Sequence, residues 1–98
     1  MSPRLLGRSG AVAGADFAIA EKVRIGSGAD VEVRIEAPGV LPLHATIVRD
    51  GDRLTLTAES ADASGMTCLN GRRIASERLQ HLDVITIGRG VDLIYLAT

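Results

Sequence analysis

The feature that most constrains this chain is a period of two. Short runs alternate apolar with polar residues: Val23 and Ile25; Val31, Val33 and Ile35 against Glu32, Arg34 and Glu36; Leu54, Leu56 and Ala58 against Thr55 and Thr57; then Ile85 and Ile87. Successive side chains of an extended strand point to opposite faces, so each run sets one face on a core and the other toward water. The Val, Ile and Thr in these runs suit a pleated surface, because branching at Cβ restricts χ1 against a helical backbone. Short strands spaced by about 8–12 residues with turns between them close into a sandwich or barrel.

Turn chemistry says how the strands join. Asp50-Gly51 lies between 44–49 and 53–58, and Asn70-Gly71 between 67–69 and 72–74. Both dipeptides accept the positive φ that a tight hairpin demands, so each predicts an antiparallel pair. Three stretches rich in Gly, Pro, Ser, Ala or Asp read as longer loops: 26–30, 36–43 and 59–66. Loops on a rigid sheet scaffold are where binding groups gather. One helix is predicted, over 75–82, about two turns and too short to build a helical layer.

Composition removes several functions. The 98 residues suffice for one domain, 1–98, and 46% of them are hydrophobic, enough for a core of its own. The front Met and the strand-like end suit the N-terminal domain of a longer protein. Eleven Lys and Arg against twelve Asp and Glu leave a net charge of −1, and Phe17 and Tyr95 are the aromatic residues, with no Trp. A nucleic-acid binder carries a basic excess and stacking aromatics, so that class is set aside. No apolar run is long enough for a signal peptide or a membrane span, so membrane contact is not expected. The single cysteine, Cys68, excludes an internal disulfide and suits a reducing compartment, hence a cytoplasmic location. Cys/His clusters of the kind a zinc site needs are missing, and neither metal nor cofactor is expected.

Catalytic readings are weak. Cys68 paired with His44 or His81 would be a thiol nucleophile, yet Cys68 lies in a predicted strand, where a free cysteine is a small buried hydrophobe. Gly26-Ser27-Gly28 is spaced like a phosphate-cradling loop, but no helix follows it to present backbone N–H groups. Asp50 and Asp52 flank a turn and are solvated there.

Taken in order, Arg24-Ile25-Gly26, Val33-Arg34-Ile35, Leu43-His44-Ala45-Thr46-Ile47, Leu69-Asn70-Gly71-Arg72-Arg73-Ile74, and Leu79 with Asp83-Val84-Ile85-Thr86-Ile87-Gly88 resemble the forkhead-associated (FHA) domain, from about Arg4 to Leu96. In the final block Leu82 stands where the family prefers glycine. The resemblance implies an all-β sandwich of two twisted sheets, about eleven short strands, whose loops at one end bind a phosphothreonine segment of a partner protein. Such a site works by converging an Arg, hydroxyls and amides on a group of nearly two negative charges.

Carried over residue by residue, the family's phosphopeptide positions fall on Ser27, Leu41, Pro42, His44, Ser64, Gly65, Thr67, Asn70, Arg72 and Arg73. Several have lost their donors. Ser27 replaces the family's arginine after the early strand; Leu41 and Pro42 replace its serine and arginine in the next loop, and Pro42 lacks even a backbone N–H. His44 is retained, to brace the loop from below. The segment Ser64-Gly65-Met66-Thr67 lacks the family's binding asparagine. Losing two charge-assisted hydrogen bonds, each about 1.5–3 kcal/mol, weakens binding by about two to four orders of magnitude.

The expected function is therefore a protein-interaction or assembly module, without chemistry of its own and independent of phosphorylation. Members that have lost their binding residues in this way serve bacterial secretion machinery and larger signalling proteins, by the same resemblance. The alternative is a phosphothreonine reader using Ser27, Ser64, Thr67 and either Arg72 or Arg73. Val40 to Leu43 form an apolar loop where the family is polar, a mark of a protein interface. Leu43 is expected inside it and Leu41 outside.

Overall fold

The alternating runs become strands of two packed sheets in the computed structural model, which describes residues 3–60, 62 and 66–97. In chain order the strands are β1 (Arg4–Gly7), β2 (Asp16–Ala18), β3 (Lys22–Gly26), β4 (Val33–Arg34), β5 (Ala45–Asp50), β6 (Arg53–Ala58), β7 (Thr67–Leu69), β8 (Arg72–Arg73), β9 (Ser76–Arg78), β10 (Val84–Ile87) and β11 (Val91–Leu96). A single 3₁₀ turn, Gly10–Val12, joins β1 to β2. One sheet has the order β2-β1-β11-β10-β7-β8 and the other β4-β3-β5-β6-β9. Among the described residues no helix is long and apolar enough to cross a membrane.

The inner faces hold the residues that the alternation selects. Val23 and Ile25, Ala45 and Ile47, Leu54 and Leu56 face Leu5, Leu69, Ile85, Ile87, Leu93 and Tyr95, all buried. Register aligns them: Val23 opposite Ile47 and Ile47 opposite Leu56 in one sheet, Ile85 opposite both Leu69 and Leu93 in the other. Each such side chain contributes about 1.5–3 kcal/mol of burial, which makes this layer the main source of stability.

Both predicted hairpins are present. Asn70 (φ 52°) and Gly71 (φ 84°) both take positive φ between β7 and β8, as a type I′ turn requires. The first hairpin is shifted by one residue: Asp50 pairs with Arg53, so the loop is Gly51-Asp52, with positive φ at Gly51 (65°).

Three expectations need correction. Residues 75–82 do not form a helix; 76–78 are β9, with Thr55 opposite Arg78, Leu56 opposite Glu77 and Thr57 opposite Ser76. Two turns of isolated helix are marginal, whereas the edge of β6 offers a ready ladder, and Leu79 just beyond it drops into the core at 6% exposure. Neither Val31 nor Ile35 joins Val33 in a strand, for β4 is Val33–Arg34 alone. The chain enters β4 at Val33, which runs parallel to β3 with Ile25 opposite Val33, and Val31 stays in the loop. Leu43 is not inside: it is 42% exposed, while Leu41 is partly buried.

Leu82 accounts for the glycine that the resemblance places there. The Asp83 amide donates to the Gln80 carbonyl (3.0 Å), closing a turn in which Leu82 has φ 73°. Leu82 N–H donates to Tyr95 O (2.7 Å) and Tyr95 N–H to Asp83 O (2.9 Å), so two residues oppose one. This is a G1 bulge, whose first position is left-handed and comfortable for glycine alone.

Candidate functional site

Four loops meet at one end of the sandwich because backbone hydrogen bonds tie them together. Ser27 N–H donates to Leu41 O (2.9 Å) and Gly28 N–H to Pro42 O (3.1 Å), joining the β3–β4 loop to the β4–β5 loop. Gly88 N–H donates to Met66 O (2.9 Å) and Arg89 N–H to Pro38 O (3.2 Å), adding the loops before β7 and after β10. Gly26 permits the first junction: a Cβ there would lie 2.2 Å from the Pro42 carbonyl oxygen.

His44 is the pin beneath this cluster. It is fully buried, its Nδ1 accepts the Leu41 N–H (3.2 Å), and its Nε2 lies 3.1 Å from Met66 O. An acceptor Nδ1 puts the proton on Nε2, which then donates to Met66 O. Desolvation pushes the His44 pKa below its ordinary 6.5, with the Met66 carbonyl pulling weakly the other way. The bracing role drawn from the resemblance thus has a geometry: one imidazole holds two loops at their approach.

The donors that would face an anion are turned inward. Ser27 Oγ donates to Val40 O (3.2 Å), and the N–H groups of Ser27, Gly28 and Leu41 are spent on Leu41 O, Pro42 O and His44 Nδ1. Pro42 has none to offer. Thr67 lies at the start of β7, fully buried and engaged. Ser64 and Gly65 lie outside the described residues.

The remaining site positions do not join this cluster. Asn70 is bonded to the fold: its Nδ2 donates to Asp83 Oδ1 (2.9 Å) and its Oδ1 accepts from Val84 N–H (2.9 Å). Arg72 and Arg73 stand exposed on β8 and line two clefts with residues of the β8–β9 region, such as Ile74, Ser76 and Glu77, that share no residue with the cleft between the tied loops. Cys68 is half-buried; both ring nitrogens of His44 are engaged, His81 Nδ1 accepts from Ala97 N–H (3.0 Å), and no hydrogen bond joins either imidazole to the thiol among the described residues. Among the described residues no three metal-ligating side chains come together.

Sequence reasoning missed three charged groups here. Arg24 on β3 is clamped by Glu32: its backbone N–H donates to Oε1 (2.8 Å), its Nε to Oε1 (3.3 Å) and its Nη2 to Oε2 (2.9 Å). That fork holds the Glu32 carboxyl at about 2, well below its usual range. Arg89, in the loop after β10, is exposed beside Gly39 and has no carboxylate partner among the described residues. The signal for Arg24 and Glu32 was the parallel register of β3 and β4, which no local pattern encodes.

Between β3 and the tied loops lies a cleft of about 250 Å³, lined by Arg24, Gly28, Asp30, Val31, Pro42 and Leu43 among others. Its lining carries one carboxylate, Asp30, and one guanidinium, Arg24, whose Nε and Nη2 are bonded to Glu32. Arg34 is also occupied, 2.7 Å from Glu36.

No curated protein sequence matches the chain. Among solved structures, it is 26% identical to an FHA domain described in a structural and functional analysis of phosphothreonine-dependent FHA domain interactions, with a TM-score of 0.85 over 98% of this chain and 96% of that one. It is also 26% identical to the FhaA FHA domain complexed with the intracellular domain of Rv3910, with a TM-score of 0.84 over 96% and 99%. The fold is shared with Mycobacterium tuberculosis EmbR, at 20% identity and a TM-score of 0.87 over 99% of this chain and 24% of that protein. Residues 23–88 match the family model described as the FHA domain. With that match over well over half its length, and the sandwich and loop cluster described above, the chain belongs to the FHA domain family.

Proposed function

We propose that this domain is a protein-interaction module that takes a partner segment at its loop end without requiring phosphate. One observation carries the reading: the donors at Ser27, Gly28 and Leu41 are consumed by the protein's own carbonyls and by His44, and Pro42 supplies nothing. A phosphate arriving there would have to displace those bonds or go unmet. The Asp30 carboxylate in the cleft lining also opposes a dianion there.

The test is an NMR titration with a phosphothreonine peptide library and its unphosphorylated twin. Equal responses to the two libraries, lost in Leu43→Ser with an unchanged unfolding midpoint, are expected. Shifts at Ser27 and Leu41 with the phosphorylated library alone would overturn the reading. A gain-of-function complement is Ser27→Arg with Leu41→Ser, which should create phosphate dependence on an intact scaffold.

A second reading, a phosphothreonine reader with a non-standard site, is favoured by Arg89, a free guanidinium at the loop end. It also agrees with the phosphothreonine-dependent interactions described for the 26%-identical neighbour. Its mark would be phosphopeptide binding that Arg89→Ala abolishes.

A further inference from the structure

We infer that the partner segment is basic and aliphatic, with an aliphatic side chain against Pro42 and Leu43 and a neighbouring Lys or Arg paired with Asp30. The inference rests on the reading of the loop end as a protein-binding site and adds the chemistry of what is bound.

The cleft sets the first requirement. At about 250 Å³ it falls below the ~300–1,000 Å³ of small-molecule and cofactor sites, so it is sized for side chains. Leu43 is 42% exposed at its mouth, next to the fully buried His44, and Pro42 beside it is exposed as well. An aliphatic side chain would cover the Leu43 surface that folding leaves wet.

Charge sets the second. The guanidinium that lines the cleft, Arg24, is already charge-compensated: its Nε and Nη2 bond both oxygens of Glu32, and Asp30 adds to the same negative field. Asp30 has no hydrogen-bond or ion-pair partner among the described residues. Against it stands Arg89, an exposed cation of the loop end with no carboxylate partner among the described residues. An acidic or phosphorylated segment would bring like charge to this rim, whereas a cation at Asp30 gains a partner and loses none.

The experiment selects unphosphorylated 12-residue peptides from a displayed random library on the folded chain, then measures synthetic winners by fluorescence anisotropy. Expected winners carry Lys or Arg within two residues of Leu, Ile, Val or Met. They bind Asp30→Lys at least tenfold more weakly, recover in Asp30→Glu, and lose affinity as salt rises. The unfolding midpoint of each variant, unchanged, excludes a folding defect. Winners without basic enrichment, or unaffected by Asp30→Lys but lost in Leu43→Ser, would overturn this inference while leaving the interaction reading in place. Selection of no unphosphorylated peptide, with binding confined to phosphothreonine peptides, would overturn both.

Discussion

Leu82 shows how a single residue can be out of step with the backbone it occupies. Its left-handed φ of 73° costs a Cβ-bearing residue about 1–2 kcal/mol, and at 60% exposure the side chain recovers little by burial. Leu82→Gly removes the strain but adds freedom to the unfolded chain, about 0.4–1 kcal/mol in the opposite direction. The net expectation is a gain of about 0.5–1 kcal/mol, read by calorimetry as a midpoint raised by about 2–8 °C. A lowered midpoint would mean that Leu82 packs in a way its exposure conceals. The departure from the family's glycine was legible in the sequence; the bulge that makes it costly required the pairing of Leu82 and Asp83 against Tyr95.

Among the elements, β9 is the instructive case, since residues 75–82 are rich in helix formers and yet extend. Local propensity lost to the unpaired edge of β6 and to the burial of Leu79. At Glu77, opposite Leu56, the structure therefore expects Thr to be more stabilising than Ala by a few tenths of a kcal/mol in chemical denaturation. A helix would reverse that order. Glu77→Pro should cost about 1–3 kcal/mol through a lost ladder donor. The hairpins at 50–53 and 69–72 were readable because Asp-Gly and Asn-Gly act over a few residues. The parallel pairing of β3 and β4, and with it the Arg24–Glu32 clamp, depends on how the 27–32 loop turns the chain back beside β3, and alternation within either strand carries no sign of that. Ser27, Leu41 and Pro42 could be recognised as non-donors of the expected kind, but only the folded loops reveal where the Ser27 hydroxyl and the neighbouring amides are spent.

For the whole molecule, two shifted groups shape the response to acid, both with folded pKa values below their unfolded ones. His44 is lowered from 6.5, so its contribution is complete above that pH and declines as pH falls through the depressed value, when the unfolded chain binds the proton first. Glu32, held at about 2 against an ordinary 4.5, keeps its contribution until pH falls below 4.5 and loses it toward 2. Denaturant titrations from pH 8 to 3 should show a first decline below about 6.5 that is absent in His44→Gln, and a second below 4.5 that is reduced in Glu32→Gln. A profile unchanged by either substitution would remove both groups from the account.

The pairing of Arg4 with Leu96 sets the start of β1 beside the end of β11, at the end of the sandwich away from the tied loops. Tension applied through flanking polypeptide would consequently peel β1 from β11 rung by rung, as a zip opens, instead of loading the whole ladder in shear. The domain would yield first where it is anchored, and the surface offered to a partner would be the last to feel the pull.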